Sequence, residues 1–286
     1  MAVVPAFQYV DAPPIPRLGQ GTWYLGETPS ARKAEIAALR TGIECGMTLI
    51  DTAEMYGEGL SEQLVGEAIA PYAREDLYLV SKVYPWNAGR DHIFQACENS
   101  LRRLRTEYLD MYLLHWRGSV PLEETAECME ELVRRGKIRS WGVSNLDLED
   151  MEELWESPAG QNCKTDQCLY HLASRGVETV LLPWLRQKNI PLMAYWPLAQ
   201  GGTLRSRTLH HPVLRDLAAA KNCSIWQLML AFLLADPNVM AIPRTGKARH
   251  TEENAGAANI VLTPEEWRLL NEAFPAPKRR EMLDIM

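Results

Sequence analysis

Side chains that can carry charge and exchange protons follow three apolar stretches of the sequence. Asp51 ends one apolar run, and Tyr56 lies in the polar turn just beyond it. Lys82 and His115 each end a later apolar run. Short apolar runs bounded by turn residues are typical of buried strands. Three buried strands that carry Asp, Lys and His at their C-terminal ends indicate one shared polar site.

Each of these residues, taken singly, also has a purely structural interpretation. A strand-end Asp such as Asp51 is commonly a cap or a turn residue, and a loop Tyr such as Tyr56 commonly packs half-buried. For Asp51 and Lys82 on their own, a structural ion pair is the favoured interpretation. The functional interpretation therefore requires a fold that brings the ends of these strands together.

The alternation of strand-like and helical segments predicts such a fold. Strands are expected at 18–24, from Thr48, and at 76–83, 109–116, 140–145, 166–172, 190–198 and 239–245. Helices are expected at 31–47, 60–70, 93–104, 121–136, 146–155, 177–188, 213–235 and 263–273. This order favours an α/β fold, a (β/α)8 TIM barrel that forms a single domain over residues 1–286.

Further features complete the predicted architecture. The Pro-rich residues before Arg17 are expected to form a short strand or hairpin across the outside of the barrel, and a short helix and tail end the chain. A doubly wound sheet is the alternative fold. It is weakened by the absence of a Gly-x-Gly-x-x-Gly turn between a strand and a helix.

In a barrel, polar residues at the C-terminal ends of the strands meet on one rim, and that rim carries the chemistry. The residues expected there are Asp51, Lys82, His115, Ser144, Asn145, Tyr195, Arg244 and Thr245. Their convergence is the main structural argument for a single site.

Composition restricts the classes of partner. The 286 residues include 30 basic and 37 acidic side chains, a formal charge of −7, without a long block of either sign. This balance argues against nucleic acid or an anionic membrane as the main partner. No apolar run approaches the ~20 residues of a membrane helix, and the first residues lack the pattern of a secretory signal. Six cysteines without framework spacing favour a reducing cytoplasm, and their spacing predicts no metal site.

The strand-end residues resemble the catalytic tetrad of the aldo-keto reductases. The similarity continues through Gly-Gln-Gly-Thr-Trp at 19–23, Gly-Val-Ser-Asn at 142–145, Gln167, Ala-Tyr-Trp-Pro-Leu at 194–198, Ile-Pro-Arg-Thr at 242–245 and Glu253-Asn254. It covers nearly the whole chain, and the combination is specific although each motif alone is weak. Segments 81–89 and 174–178 look particularly like short bacterial members that reduce methylglyoxal and related small aldehydes.

The resemblance implies that Asp51, Tyr56, Lys82 and His115 are catalytic. Carbonyl reduction delivers hydride to carbon while the oxygen takes up a proton, which Tyr56 would give. An unperturbed Tyr has a pKa of ~10, and a nearby ammonium such as that of Lys82 lowers it. Asp51 would keep Lys82 charged and in place, and His115 would orient the substrate oxygen or relay the proton.

The resemblance also implies NADPH as the cofactor. Ser144, Asn145 and Gln167 would bind the nicotinamide carboxamide, which needs both donors and acceptors. Tyr195 would stack on the nicotinamide ring. The other implied cofactor residues are Pro197, Leu198, Arg244, Thr245, His250, Glu253 and Asn254. Among them Arg244 and Thr245 would hold the 2′-phosphate, because an Arg fork matches a phosphate. Glu253 and Asn254 match the residues at the adenine end.

Two positions depart from the family pattern. His250 stands where many relatives have a phosphate-binding Arg, and Arg249 precedes it. Some bacterial members also carry His there, so NADPH remains the expected cofactor. Trp196 replaces a Ser that is common beside the stacking Tyr, and it would reshape either the pyrophosphate seat or the pocket wall.

The substrate pocket is expected to be aromatic. Trp23, Tyr84, Trp86 and Trp116 all follow predicted barrel strands, and with nine tryptophans in the chain some are simply packing residues. Trp23 and Trp116 match aromatic pocket positions in relatives. A short loop after the fourth strand and a short tail after Phe274 favour small, varied substrates.

Three functions are compatible with the sequence. The first is a monomeric NADPH-dependent reductase of small aldehydes and ketoaldehydes, with methylglyoxal as the expected substrate. The second keeps the mechanism but acts on a ketone, keto ester or sugar of a dedicated pathway. The third is a nucleotide-sensing binding subunit without significant turnover. Fold resemblance alone does not separate them.

Overall fold

Eight parallel strands lie side by side in chain order in the computed structural model, which describes residues 4–9, 12–199 and 202–285. Two short strands precede them, β1 (Ala6–Phe7) and β2 (Ile15–Pro16). The parallel strands are β3 (Gln20–Gly21), β4 (Leu49–Asp51), β5 (Tyr78–Val83), β6 (Leu109–Leu114), β7 (Ile138–Ser144), β8 (Asp166–Leu169), β9 (Leu192–Tyr195) and β10 (Val239–Ala241). Parallel pairing with helical connections is the arrangement expected of an α/β fold.

The first and last of these strands close the sheet into a barrel. Gly21 forms a parallel bridge with Arg244, and the amide of Gly19 donates to the carbonyl oxygen of Ala241 at 2.9 Å. A Cβ atom on Gly21 would lie 2.8 Å from the carbonyl oxygen of Ile242, so only glycine permits this approach. The predicted (β/α)8 barrel is confirmed.

Helices surround the barrel and alternate with its strands. They are α1 (Arg32–Glu44), α2 (Leu60–Ile69), α3 (Ile93–Leu104), α4 (Leu122–Arg134), α5 (Leu148–Glu156), α6 (Leu181–Gln187), α7 (Gly202–Leu209), α8 (Pro212–Ala220), α9 (Ile225–Leu234), α10 (Ala248–Gly256) and α11 (Pro264–Ala273). In α3 the residues Ile93, Cys97, Leu101 and Leu104 are buried on one face, as their spacing predicts.

The helical region predicted for 213–235 is divided into two helices. The segment forms α8 and α9, which meet at an angle of 90°. Asn222 takes a positive φ of 51° between them, and Ser224 starts α9 through a capping box with Gln227. In the part of the chain that the structure describes, no single helix is long and apolar enough to cross a membrane. Among the described helices, α8 and α9 reach that length and apolar composition only when the bent pair is taken together.

Two helices lie where none is predicted. The helix α7 lies between β9 and α8, and α10 lies between β10 and α11. Residues 200 and 201 before α7 lie outside the described structure. The sequence of α10 is mostly polar, and only Thr251, Asn254 and Ala255 are buried in it. Because α10 packs against α1, tertiary contact rather than apolar periodicity establishes it.

Several strands end earlier than predicted. The predicted strands 190–198 and 239–245 stop at Tyr195 and Ala241. Trp196 and Ala199 take positive φ values of 53° and 50°, which are incompatible with a continuing strand. The residues beyond each strand therefore belong to the loops of the C-terminal rim.

The hairpin of β1 and β2 closes the opposite end of the barrel. Ile15 is fully buried among interior side chains that include Leu49 and Met193. The hydroxyl of Tyr9 donates to the carbonyl oxygen of Lys164 at 2.7 Å, just before β8. The predicted hairpin is confirmed. It does not lie wholly outside the barrel, because the apolar side chain of Ile15 packs into the barrel interior. The tip at residues 10 and 11 lies outside the described residues.

A buried carboxyl group sits at the start of β8, in the layer between barrel and helices. Asp166 is fully buried, and its oxygens make no hydrogen bond of ordinary geometry within the described residues. Burial raises the pKa of Asp166 to about 7, and the Cys168 thiol and Leu146 amide offset only part of that effect. The folded protein therefore holds this group protonated over a pH range in which the unfolded chain releases the proton.

This difference makes stability depend on pH. A raised carboxyl pKa contributes stability that is present below the ordinary value of 3.8 and is lost as pH rises through about 7. D166N cannot ionise at this position. At pH 8 its free energy of unfolding, measured by urea titration, is expected to exceed that of the wild type by on the order of 2 kcal/mol, and this difference should disappear at pH 5. An advantage that stays constant between the two pH values would contradict ionisation of Asp166 as its cause.

Candidate active site

A buried ammonium group lies at the centre of the C-terminal rim. The Nζ atom of Lys82 donates to Asp51 Oδ1 at 2.7 Å, to the carbonyl oxygen of Thr52 at 3.0 Å and to the hydroxyl of Tyr56 at 3.0 Å. Lys82 is 0% exposed and Asp51 is 2% exposed. All three donor positions of the ammonium are therefore satisfied by protein oxygens.

The fold places these groups through its strand ends. Asp51 is the last residue of β4, and Lys82 lies one residue before the end of neighbouring β5. Tyr56 opens a short 3-10 turn, Tyr56–Gly59, whose last residue has a φ of 88°. Glycine adopts that conformation at little cost, so the chain can turn sharply after Tyr56 and begin α2 at Leu60.

Burial and charge act in opposite directions on the three groups. Burial raises the pKa of Asp51, and Lys82 and Gln167 offset part of that rise. Burial would lower the pKa of Lys82, but attraction to Asp51 and Tyr56 outweighs burial and the net pKa is raised. Lys82 therefore remains charged at neutral pH.

Burial also raises the pKa of Tyr56, and the Lys82 ammonium opposes that rise without cancelling it. The sequence predicts that the nearby ammonium lowers the pKa of Tyr56, and Lys82 has that effect. Loss of hydration outweighs the attraction, so the net pKa is raised. Tyr56 is therefore protonated at neutral pH and available as an acid.

His115 follows β6 and lies beside this cluster. Its ring centroid is 5.8 Å from that of Tyr56 at an interplanar angle of 74°. Burial, and then the charge of Lys82, hold the pKa of His115 well below its usual range. A neutral imidazole carries one N–H donor and one acceptor, so it can bind a polar substrate oxygen without adding a charge.

A hydrogen-bonded amide group lies across the rim from Tyr56. Gln167 Nε2 donates to Asp51 Oδ2 at 2.8 Å, and the hydroxyl of Ser144 donates to the carbonyl oxygen of Gln167 at 2.8 Å. The hydroxyl of Tyr195 donates to Asn145 Oδ1 at 2.8 Å. Asn145 has a φ of 59°, a conformation that asparagine tolerates better than most residues. The structure thus joins the four residues expected at the nicotinamide to the Lys82 cluster.

These residues open into a cavity of about 310 Å³. Its lining includes Asp51, Tyr56, His115, Ser144, Asn145, Gln167, Tyr195, Arg244, Trp23 and Trp116. The lining also contains Gly21, Thr22 and Ile242, which lie in the quoted family motifs but were given no role, and Tyr24 and Met55, which were not expected at the site. The signal that could have found most of them is position, because each flanks a predicted strand-end residue.

A second cavity of about 190 Å³ adjoins the first and shares Trp196 and Arg244 with it. Its lining contains the remaining expected cofactor residues, Pro197, Leu198, Thr245, His250, Glu253 and Asn254. Arg205 and Trp226 also line it and were missed, because α7 was not predicted and Trp226 belongs to no strand end or family motif. The guanidinium of Arg205 lies 5.0 Å from the Trp226 ring centroid.

Two expected substrate residues lie outside the main cavity. Tyr84 and Trp86 do not line it; they stack on each other with centroids 4.2 Å apart. Trp116 lines the cavity, and its ring lies 6.1 Å from Tyr84 and 5.9 Å from Trp86. The pair therefore extends the aromatic wall outward from Trp116.

Trp196 is positioned at the junction of the two cavities. Its indole stacks on that of Trp23 with centroids 5.7 Å apart and an interplanar angle of 20°. Its Nε1 atom is buried without a hydrogen-bond partner in the described structure. Within the same residues, no cluster of three or more His, Cys, Asp or Glu side chains could hold a metal ion.

Comparison with known proteins agrees with this geometry. The family model described as the aldo/keto reductase family matches residues 17–274. The chain belongs to this family. Since its matched region includes the barrel, the Lys82 cluster and both cavities, this aldo-keto reductase is an oxidoreductase.

Named relatives of the reductase include bacterial enzymes that act on small dicarbonyl compounds. It is 54% identical to the methylglyoxal reductase YeaE of Escherichia coli (strain K12) over 272 residues, which cover 95% of each chain. It is 32% identical to the glyoxal reductase of Bacillus subtilis (strain 168), covering 88% of this chain and 86% of that one. A crystal structure of an aldo/keto reductase from Klebsiella pneumoniae in complex with NADP and acetate superimposes with a TM-score of 0.93, 53% identity and 96% coverage of both chains.

The buried ion pair makes a specific prediction about stability. K82M leaves the Asp51 carboxylate buried without a cation, and we expect it to lose about 3–5 kcal/mol of unfolding free energy. The double variant D51N/K82M removes both charges and should be more stable than K82M in urea titrations. A double variant as unstable as the sum of the two single variants would show that the two side chains act independently.

Proposed function

We propose that this protein reduces small aldehydes and ketoaldehydes with NADPH, and that methylglyoxal is a substrate. The observation that carries the proposal is the contact between Lys82 Nζ and the Tyr56 hydroxyl, at 3.0 Å, in an aromatic cavity. The named relatives that reduce methylglyoxal and glyoxal support the substrate class.

The shape and polarity of the cleft fit a dinucleotide. Two adjoining cavities meet at Trp196 and Arg244, which matches a ligand built of two nucleotide halves. The inner half ends at Ser144, Asn145 and Gln167, whose donors and acceptors suit a carboxamide. The buried unpaired Nε1 of Trp196 at the junction is a donor that an anionic ligand can satisfy.

The outer half contains the groups suited to a phosphate and an adenine. Arg244, Thr245 and His250 line it together with Glu253 and Asn254. A guanidinium fork pairs well with a 2′-phosphate, which NADPH has and NADH lacks. The Klebsiella pneumoniae structure with NADP further supports this choice. Pro197 and Leu198 contribute the apolar part of the wall.

The protein's own residues carry the proton chemistry of the proposed reaction. Bound NADPH supplies the hydride for the carbonyl carbon. Tyr56 holds a proton at neutral pH, because burial raises its pKa, and donates it to the carbonyl oxygen. Lys82 stabilises the phenolate that remains, and Asp51 keeps Lys82 charged. Neutral His115 donates a hydrogen bond that orients the oxygen.

The pocket wall favours small substrates with an apolar end. Trp23 and Trp116 line the cavity beside Tyr56, and Tyr84 and Trp86 extend the wall from Trp116. We further propose that residues 1–286 form one domain and that the enzyme acts as a monomer in the cytoplasm. A sensing subunit remains the contrasting function, and it would bind NADPH without turnover.

The proposed role of Tyr56 predicts a selective loss of catalysis. Y56F removes the acidic proton but keeps the ring, so NADPH consumption with methylglyoxal is expected to fall at least ~100-fold. Fluorescence titration of NADPH should give a dissociation constant within about threefold of the wild type. Undiminished turnover would exclude Tyr56 as the acid, whereas a wild type that binds NADPH and reduces no carbonyl compound would support the sensing subunit.

The proposed role of Arg244 predicts a change in cofactor preference. R244A removes charge-assisted hydrogen bonds to the 2′-phosphate, so the dissociation constant for NADPH should rise about 10–100-fold. The constant for NADH should change much less, because NADH has no phosphate there. Equal losses for both cofactors would place recognition of the 2′-phosphate elsewhere in the cleft.

A further inference from the structure

A buried carboxylate links the loop of Tyr56 to the outer aromatic wall. Glu54 is 9% exposed and lies two residues before Tyr56 in the sequence. Its Oε1 accepts the backbone N–H of Tyr84 at 2.7 Å and Nδ2 of Asn87 at 3.2 Å. The backbone amide of Glu54 in turn donates to the carbonyl oxygen of Lys82 at 3.3 Å. One side chain thus fixes the short 3-10 turn Pro85–Asn87 from both ends.

That turn carries an exposed aromatic surface. Trp86 is 59% exposed although it is a large apolar residue, and it stacks on Tyr84 at an interplanar angle of 20°. Its ring meets Trp116 edge to face at 73°. Since Trp116 lines the catalytic cavity, the exposed surface is continuous with that cavity. A group that binds on this surface can therefore belong to a molecule whose other end lies beside Tyr56.

We propose that Glu54 is a positioning residue that holds Tyr84 and Trp86 as an outer subsite for the planar aromatic group of a carbonyl substrate. The inference rests on the proposed function, because the carbonyl end must lie at Tyr56. Two stacked rings joined to an edge-on indole offer flat apolar area and the geometry that aromatic groups prefer. Methylglyoxal has no aromatic group with which to use this subsite.

Glu54 acts through the turn and not through the reacting atoms. Its carboxylate is engaged by Tyr84 and Asn87, and it does not line the cavity that contains Tyr56 and His115. Removing the carboxylate leaves the Tyr84 amide without its acceptor and releases Asn87. The turn can then adopt other conformations, so the subsite is populated for less of the time and substrates that need it bind more weakly.

The experiment compares 2-naphthaldehyde with methylglyoxal, using steady-state kinetics at saturating NADPH. E54A is expected to reduce kcat/KM for 2-naphthaldehyde about fivefold more than kcat/KM for methylglyoxal, through KM rather than kcat. E54Q retains an acceptor oxygen and should restore most of the difference. E54A combined with W86A should be no more selective than W86A alone, because both remove the same subsite.

The matched control is E124A. Glu124 Oε1 accepts the backbone N–H of Arg90 at 2.9 Å, an equivalent carboxylate–amide contact further along the same loop. Its removal should leave the ratio of the two substrates unchanged. N87A removes the contact between Asn87 and Glu54 from the side of the turn. It should shift the ratio of kcat/KM for the two substrates in the same direction as E54A, and it tests the inference if E54A does not fold.

Two outcomes would overturn the inference. One is an equal fall in kcat for both substrates in E54A, which would mean that Glu54 supports Tyr56 or the fold in general. The other is multiplication of the E54A and W86A effects, which would mean that they act separately. Failure of the proposed function is distinct, since the wild type would then turn over neither substrate.

Discussion

The contact of the buried Lys82 ammonium with Asp51 and Tyr56 is the interaction on which the rest of the site depends. An ammonium in this position is tolerable only because a carboxylate, a carbonyl and a phenol oxygen complete its coordination. Burial keeps Tyr56 and His115 uncharged at neutral pH. Burial therefore sets the protonation of both side chains, while the charge of Lys82 opposes it at Tyr56 and adds to it at His115. The barrel provides the strand ends that keep the four groups in register.

The cleft above this cluster has two chemically different halves. The inner half is bounded by amides, hydroxyls and aromatic faces, and the outer half contains most of the basic groups. Trp196 and Arg244 belong to both halves, so a ligand that spans the cleft must pass them. The positive φ of Trp196 ends β9 at that point, which is how the backbone brings the indole over the junction. The end of β9 therefore determines where the backbone places Trp196 in the cleft.

Much of this arrangement is encoded locally and could be predicted. Asp51, Lys82 and His115 end short apolar runs, and a barrel necessarily gathers such residues on one rim. The direction in which the pKa of Tyr56 is shifted could not be predicted, because it depends on the balance between burial and the charge of Lys82. The helix α10 escaped prediction because contact with α1 establishes it, and the break between α8 and α9 depends on the Ser224 cap within a continuous apolar pattern. Arg205 and Trp226 in the second cavity were missed because they lie on α7 and α9, away from the strand ends and motifs that located the other cofactor residues.

The closure of the barrel between Gly21 and Arg244 also has a consequence for biosynthesis. A strand near the start of the chain finds one of its neighbours only after almost the whole polypeptide has left the ribosome. Such long-range pairing is slow, and until then β3 has an unpaired edge that can meet other chains. Asp51, Lys82 and His115 emerge early, whereas Arg244 emerges near the end. The cofactor cleft is consequently the last part of the molecule to be assembled, and a nascent chain truncated before β10 would have its acid–base residues but no complete seat for a dinucleotide.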